Sequence, residues 1–130
     1  MQIPIVVFVV EDEAIIQEML EDALTVGGFA VATAGSGSEA IYMLEMSNAC
    51  YRALVTDVNL LPGKLTGWDV ARRARELNPD MPVVYTTGAV SHDWASKGVS
   101  NSVLVPKPFA RAQVVTAVSQ LINHGKMLGD

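Results

Sequence analysis

Acidic residues follow two of the apolar runs in this chain. Glu11-Asp12-Glu13 comes directly after IVVFVV, and Asp57 comes after ALVT. Thr86-Thr87 closes the run PVVYTT, and Lys107 stands between two prolines in VLVPKPF. Gathered in one place, the carboxylates would repel one another. At ~5 Å and an effective dielectric of ~20, one pair costs about 3 kcal/mol. A hard divalent cation offsets that repulsion. Mg2+ suits the task, because it prefers oxygen ligands, keeps several waters and commonly takes one or two carboxylates. Lys107 would add a second positive charge, and Thr87 a hydroxyl able to donate a hydrogen bond. A carboxylate nucleophile, a cation, an ammonium and a hydroxyl together make a site for a phosphoryl group. Singly, each residue has a plainer reading. The acidic run suits a solvated first helical turn, Asp57 a loop cap, Thr87 a strand end and Lys107 a surface position. The decision rests on whether the fold brings them together.

The elements around them alternate between two periods. IVVFVV (5–10) is a continuous β-rich run, the pattern of a strand covered on both faces. A helix with Ile16, Met19, Leu20 and Ala23 on one side follows, ended by Gly27-Gly28. AVATA (30–34) is a weaker strand. Ser36 and Glu39 stand at capping-box spacing ahead of the second helix. ALVTD (53–57) is a third strand, followed by the Gly- and Pro-containing loop VNLLPGKLTG. Thr66 and Asp69 offer another capping box for a helix to about Leu77, which Asn78-Pro79 ends. PVVYTT (82–87) is the fourth strand, 91–97 a short weak helix and SVLV (102–105) the fifth strand. Val114, Val118, Leu121 and Ile122 mark the apolar stripe of a last helix ending near Gly125.

Five strands alternating with five helices imply an α/β fold: a flavodoxin-like (βα)5 doubly wound sandwich around a parallel sheet. The strand order 2-1-3-4-5 sets the first, third and fourth strands side by side, with the fifth outside the fourth. In such sheets ligands bind beyond the carboxyl ends of the strands. Glu11, Asp12, Asp57, Thr87 and Lys107 would then meet at one rim.

Composition narrows the setting. A chain of 130 residues suits one domain spanning 1–130, and too few residues follow the last helix for a second. Half the residues are hydrophobic and 18% are charged, so a core forms and wholesale disorder is excluded. No run approaches the ~20 apolar residues that span a bilayer. The apolar start lacks a basic segment and runs into Glu-Asp-Glu, unlike a signal peptide. A net charge of -5 argues against a nucleic-acid surface and for a cation or a basic protein partner. Cys50 is the only cysteine, which excludes an internal disulfide and suits a reducing cytoplasm; a partly buried, inert thiol is expected.

In this order and spacing the site residues resemble the receiver domain of two-component response regulators, and the resemblance covers essentially the whole chain. It implies that Asp57 is the phosphoacceptor and that Asp12 binds Mg2+ directly. Glu11, in place of the commoner aspartate, would act on the metal through water. Asn59 would offer its backbone carbonyl to the same ion. Thr87, directly before the small residue Gly88, would be the switch hydroxyl, with the Gly88 amide beside it on the phosphoryl group. Lys107-Pro108 matches a Lys-Pro pair whose peptide bond is typically cis, and Gly67 the glycine that opens the third helix. The implied partners are a sensor histidine kinase or phosphotransfer protein upstream and a protein target downstream, met through a surface spanning 88–111. Neither DNA nor a membrane is implied as a direct partner. The chain would be an autocatalytic phosphoacceptor that dephosphorylates itself, not a turnover enzyme.

Two departures stand out. The loop DVNLLPGKLTG is about two residues longer than the commonest form. The family usually places Tyr or Phe three residues before the lysine, and here that residue is Leu104. YTTGAV (85–90) partly resembles the Phe-Ala-Thr-Gly-Xaa-Tyr pattern of an aromatic-lacking subgroup nicknamed FAT GUY, linked to histidine kinases of the HWE type. Tyr85 is a candidate replacement for the missing aromatic.

Rival classes fit less well. A haloacid-dehalogenase-type phosphatase needs an acid two residues after the nucleophile, where Asn59 stands. A flavin-phosphate module wants a Ser/Thr/Gly-rich loop after the first strand, where Glu-Asp-Glu would repel the phosphate. An interaction domain independent of phosphorylation would not need the complete set of site residues. His92 and His124 are too isolated for a metal pair. Trp68 is expected against the long loop, and Trp94 on a half-buried or moving helix face.

Overall fold

Val, Phe and Leu fill the strands because both faces of the sheet are covered. The computed structural model describes residues 4–47, 50–88 and 93–128. Five strands, β1 (Val6–Val10), β2 (Ala30–Ala34), β3 (Tyr51–Asp57), β4 (Val83–Thr87) and β5 (Ser102–Pro106), run parallel in the order β2-β1-β3-β4-β5. They alternate with α1 (Ala14–Val26), α2 (Gly37–Ser47), α3 (Gly67–Leu77), α4 (Trp94–Lys97) and α5 (Arg111–Leu128). One face carries Phe8, Leu54, Val83 and Tyr85 against Leu44 of α2 and Ala71 and Ala74 of α3. The other carries Val7, Val9, Val55 and Val84 against Leu20 and Leu24 of α1 and Val114 and Val118 of α5. This is the doubly wound α/β sandwich that the alternation implies.

Local chemistry explains the boundaries. Gly28 has φ +98°, and the chain leaves α1 through this left-handed position, which glycine adopts without a Cβ penalty. The α3 capping box is complete: the Asp69 N–H donates to Thr66 Oγ1 at 3.3 Å, and the Thr66 N–H to Asp69 Oδ2 at 2.8 Å. At α2 the box is half formed. Ser36 Oγ accepts from the Glu39 N–H at 3.1 Å, but the Glu39 carboxylate bonds the Gly35 N–H rather than that of Ser36.

Three expectations change. α5 passes through Gly125 to Leu128; an interior glycine costs about 1 kcal/mol relative to alanine, which a long helix docked through Val114 and Val118 absorbs. β3 starts at Tyr51, whose ring stacks on Phe8 with centroids 4.5 Å apart. Cys50, directly before this strand, is exposed rather than partly buried. Of the short helix expected over 91–97, α4 covers Trp94–Lys97, while residues 89–92, including His92 and Val90, lie outside the described residues. His124 is exposed on α5.

Candidate phosphoryl-acceptor site

The ladder register sets the rim. Val10 pairs with Thr56, Asp57 with Thr86, and Thr87 with Pro106. Residues 11, 57, 87 and 107 therefore leave the sheet at neighbouring points of its carboxyl edge. Glu11, Asp12 and Asp57 each offer a carboxylate oxygen, and these atoms lie within 4.8 Å of one another. Glu13 stands outside this group; it is exposed at the N-terminus of α1 and makes no side-chain cap.

Lys107 closes the cluster. Its Nζ donates to Glu11 Oε1 at 3.0 Å and to Asp57 Oδ2 at 3.2 Å. Glu11 is 1% exposed and Asp57 5%, so both carboxylates are held almost free of bulk water. Burial pushes the Glu11 carboxyl up to about 7; the Glu13 N–H and Lys107 oppose the rise and the Asp57 charge adds to it. Burial also raises Asp57, against the Lys107 ammonium and the Asn59 N–H bonded to its carboxylate. Burial disfavours the Lys107 ammonium, but its bond to Glu11 and the charges of both acids outweigh this and hold its pKa above that of an ordinary lysine. Charge pairing thus wins over desolvation at the lysine and loses to it at the acids.

The remaining expected residues fall on the same rim. Thr87 is 2% exposed at the end of β4, and its carbonyl accepts from the Lys107 N–H at 2.7 Å. Gly88 is exposed, and among the described residues a Cβ there would meet only Lys107 Cδ, at 3.9 Å. Asn59 is exposed beside Asp57, bonded to it through its N–H. Lys107-Pro108 is cis, as the resemblance implies, and so is Leu61-Pro62, which no sequence signal marked. Gly67 has a steric reason: a Cβ there would run into the Asp57 carbonyl oxygen and lie 2.9 Å from Val58 Cα.

Sequence reasoning missed several contacts. The Leu61 N–H donates to Asp12 Oδ2 at 3.3 Å, tying the long loop to the acidic cluster. Gln17 Nε2 donates to the Glu11 carbonyl at 3.1 Å. Trp68 packs on Tyr85, with ring centroids 4.6 Å apart, in a cluster that also holds Val58 and Leu60 of the long loop. Such long-range contacts leave no trace in periodicity.

A family model, Response regulator receiver domain, matches residues 7–119. The chain belongs to this family. Over 123 residues the receiver is 35% identical to the probable transcriptional regulatory protein TcrX of Mycobacterium tuberculosis, covering 93% of this chain and 51% of that protein. It is 33% identical over 119 residues to the transcriptional regulatory protein CusR of Escherichia coli, covering 90% of this chain and 51% of that one. The chain thus spans about half the length of these curated relatives. Among solved structures, a response regulator receiver protein from Sinorhizobium medicae is 43% identical, with a TM-score of 0.89 over 94% of this chain and 97% of the other. A receiver domain from Clostridium thermocellum is 26% identical, with a TM-score of 0.84 over 95% and 98% of the two chains. The receiver is thereby placed in two-component phosphorelays. Among its described residues, no helix is long and apolar enough to cross a membrane.

Proposed function

We propose that this receiver accepts a phosphoryl group on Asp57 from a phosphohistidine of a histidine kinase or phosphotransfer protein. The observation that carries the reading is the Lys107 ammonium fixed between two buried carboxylates, 3.0 Å from Glu11 and 3.2 Å from Asp57. An Asp57 carboxylate oxygen forms the new O–P bond. The P–N bond breaks, and its electron pair stays with the imidazole nitrogen. Lys107 then exchanges its contact with the Asp57 carboxylate for one with a phosphoryl oxygen, where its charge offsets what develops in transfer. The Thr87 hydroxyl and the Gly88 amide serve a second oxygen.

The donor set fits Mg2+. The atoms are all oxygens, two of the three carboxylates are almost wholly buried, and burial raises both Glu11 and Asp57, so a cation beside them would favour their ionised forms. Asp12 and Asp57 would hold the ion directly, Glu11 through water and Asn59 through its carbonyl. When bound, the ion neutralises phosphoryl charge beside the nucleophile.

Phospho-Asp57 brings about two negative charges and new acceptor oxygens. The backbone bond from Lys107 to Thr87 supports a shared response of the β4 and β5 ends. The surface from Gly88 to Arg111 then meets a downstream protein, in a cytoplasmic setting. The acidic balance of the chain favours a protein over nucleic acid or a membrane as this domain's contact. Leu104 and the YTTGAV run support a place in the aromatic-lacking FAT GUY subgroup, and hence a kinase of the HWE type. The chain acts as an autocatalytic phosphoacceptor that sheds its own phosphoryl group rather than as a turnover enzyme.

Labelling tests the reading. With a small phosphodonor and Mg2+, the native chain should gain one acid-stable, base-labile phosphoryl group, and Asp57→Asn should gain none. Undiminished labelling of Asp57→Asn would remove Asp57 from its role.

A further inference from the structure

β5 carries an aliphatic residue where an aromatic is usual, and the residue paired with it across the sheet is aromatic. Leu104 is in register with Tyr85 of β4. Tyr85 is completely buried, two residues before Thr87. Its ring meets Trp68 at 4.6 Å and an interplanar angle of 58°. Trp68 follows Gly67, whose N–H donates to the Val58 carbonyl at 2.8 Å and whose Cα lies against the Asp57 backbone. Tyr85 also pairs in register with Thr56 of β3, the residue before Asp57.

The other end reaches the surface. The Tyr85 hydroxyl accepts from the Val99 N–H at 3.1 Å. The Val99 carbonyl accepts from the Ser102 hydroxyl at 2.6 Å. Ser102 Oγ in turn accepts from Trp94 Nε1 at 3.0 Å. Trp94 is 38% exposed on α4, and Gly98 makes room for its indole, since a Cβ there would lie 2.5 Å from Trp94 Cδ1. Each link is a single directional bond or ring contact.

We infer that Tyr85 is the residue that transmits the state of Asp57 to an exposed tryptophan surface on α4, through Val99 and Ser102. It occupies the strand beside Leu104 and acts by holding a backbone amide instead of by rotating between solvent and core. A fully buried phenol has no exposed position available without opening the core. Its hydroxyl bond to Val99 is the element that must take two arrangements for coupling to pass. Phosphorylation moves Trp94 only so far as this bond differs between the two states. The inference rests on Asp57 accepting the phosphoryl group.

The two tryptophans give two indole N–H resonances in a nitrogen-15-labelled chain, and Trp94→Phe assigns them. With a small phosphodonor and Mg2+, the Trp94 resonance of the native chain should be displaced. Tyr85→Phe keeps the ring and its contact with Trp68 but removes the acceptor for Val99. It should lose more than half of that displacement while Asp57 is labelled to the same extent. Ser102→Ala removes the indole's acceptor and should lose the displacement likewise. A complete displacement in Tyr85→Phe, or a labelled native chain in which Trp94 stays still, overturns the relay and leaves the proposed function standing. A native chain that takes no label overturns both.

Discussion

Lys107 and Thr86 show opposite fates for a polar group at the same rim. Lys107 finds two carboxylates, whereas Thr86 Oγ1 is buried without a hydrogen-bond partner among the described residues. A buried hydroxyl without a partner carries a desolvation penalty of about 1–3 kcal/mol. Thr86→Val keeps the branched shape and removes that hydroxyl. It should therefore be neutral or stabilising by about 1 kcal/mol, with Asp57 labelling unchanged. A denaturant midpoint that falls by an amount typical of a core polar deletion would show that the hydroxyl has a use. Thr87, its neighbour, is the candidate site residue because Gly88 follows it. The site was legible at this scale wherever a residue type implies a charge: Glu11, Asp12, Asp57 and Lys107 do converge. Illegible were the partners. No spacing announces that Glu11 bonds Lys107 across the sheet, or that the Leu61 amide reaches Asp12.

At the level of elements, the junction between β3 and α3 is the tightest point near the site. Gly67 lies where the helix start crosses the strand end, with room for hydrogen only against the Asp57 carbonyl. Gly67→Ala cannot be relieved by rotating a side chain, because the obstacles are backbone atoms. It should cost about 1–3 kcal/mol, the usual range for overpacking, and should also slow Asp57 labelling by displacing the carboxylate. Thermal unfolding and the labelling rate, measured on the same sample, check both halves; native-like values for each would refute the crowding argument. The strands, their order and the first three helices were readable because period, caps and turn residues agree with one another there. Thr66 and Asp69, for example, announce α3 and form the complete capping box. Agreement failed where local signals were weak. α5 passes Gly125 because tertiary packing outweighs a helix propensity of that size. Trp68 of α3 meets Tyr85 of β4, the next element along the chain, a ring contact that no spacing announces.

For the whole molecule, the acidic rim makes stability depend on pH and on a cation together. The folded Glu11 carboxyl titrates near 7 and the unfolded one near 4.5. Between those values the folded state holds the proton more tightly, so stability falls as pH rises. The favourable contribution is complete below pH 4.5 and lost by the time pH passes 7. A difference of this size corresponds to roughly 3 kcal/mol at 1.36 kcal/mol per unit. Asp57, also raised, acts in the same direction. Lys107, whose pKa is raised above its ordinary value, contributes a term that stays constant through this window and is lost only at higher pH. Asp69 is lowered by the Thr66 N–H, so its contribution is lost only toward acid. Without divalent cation, the melting temperature should therefore decline from pH 5 to pH 8, by on the order of 10 °C for a loss of this size in a domain of this length. On the proposed reading Mg2+ would bind the ionised carboxylates of the folded state and not the unfolded chain, and so would stabilise by mass action. Because protons compete for Glu11, the gain from saturating Mg2+ should be larger at pH 8 than at pH 5. Glu11→Gln should flatten the magnesium-free profile and shrink the difference between the two gains. Calorimetry at both pH values, with Mg2+ and with chelator, separates the outcomes. A flat magnesium-free profile would mean that Glu11 is not held protonated by the fold, and equal gains at both pH values would mean that Glu11 and the cation do not share a site.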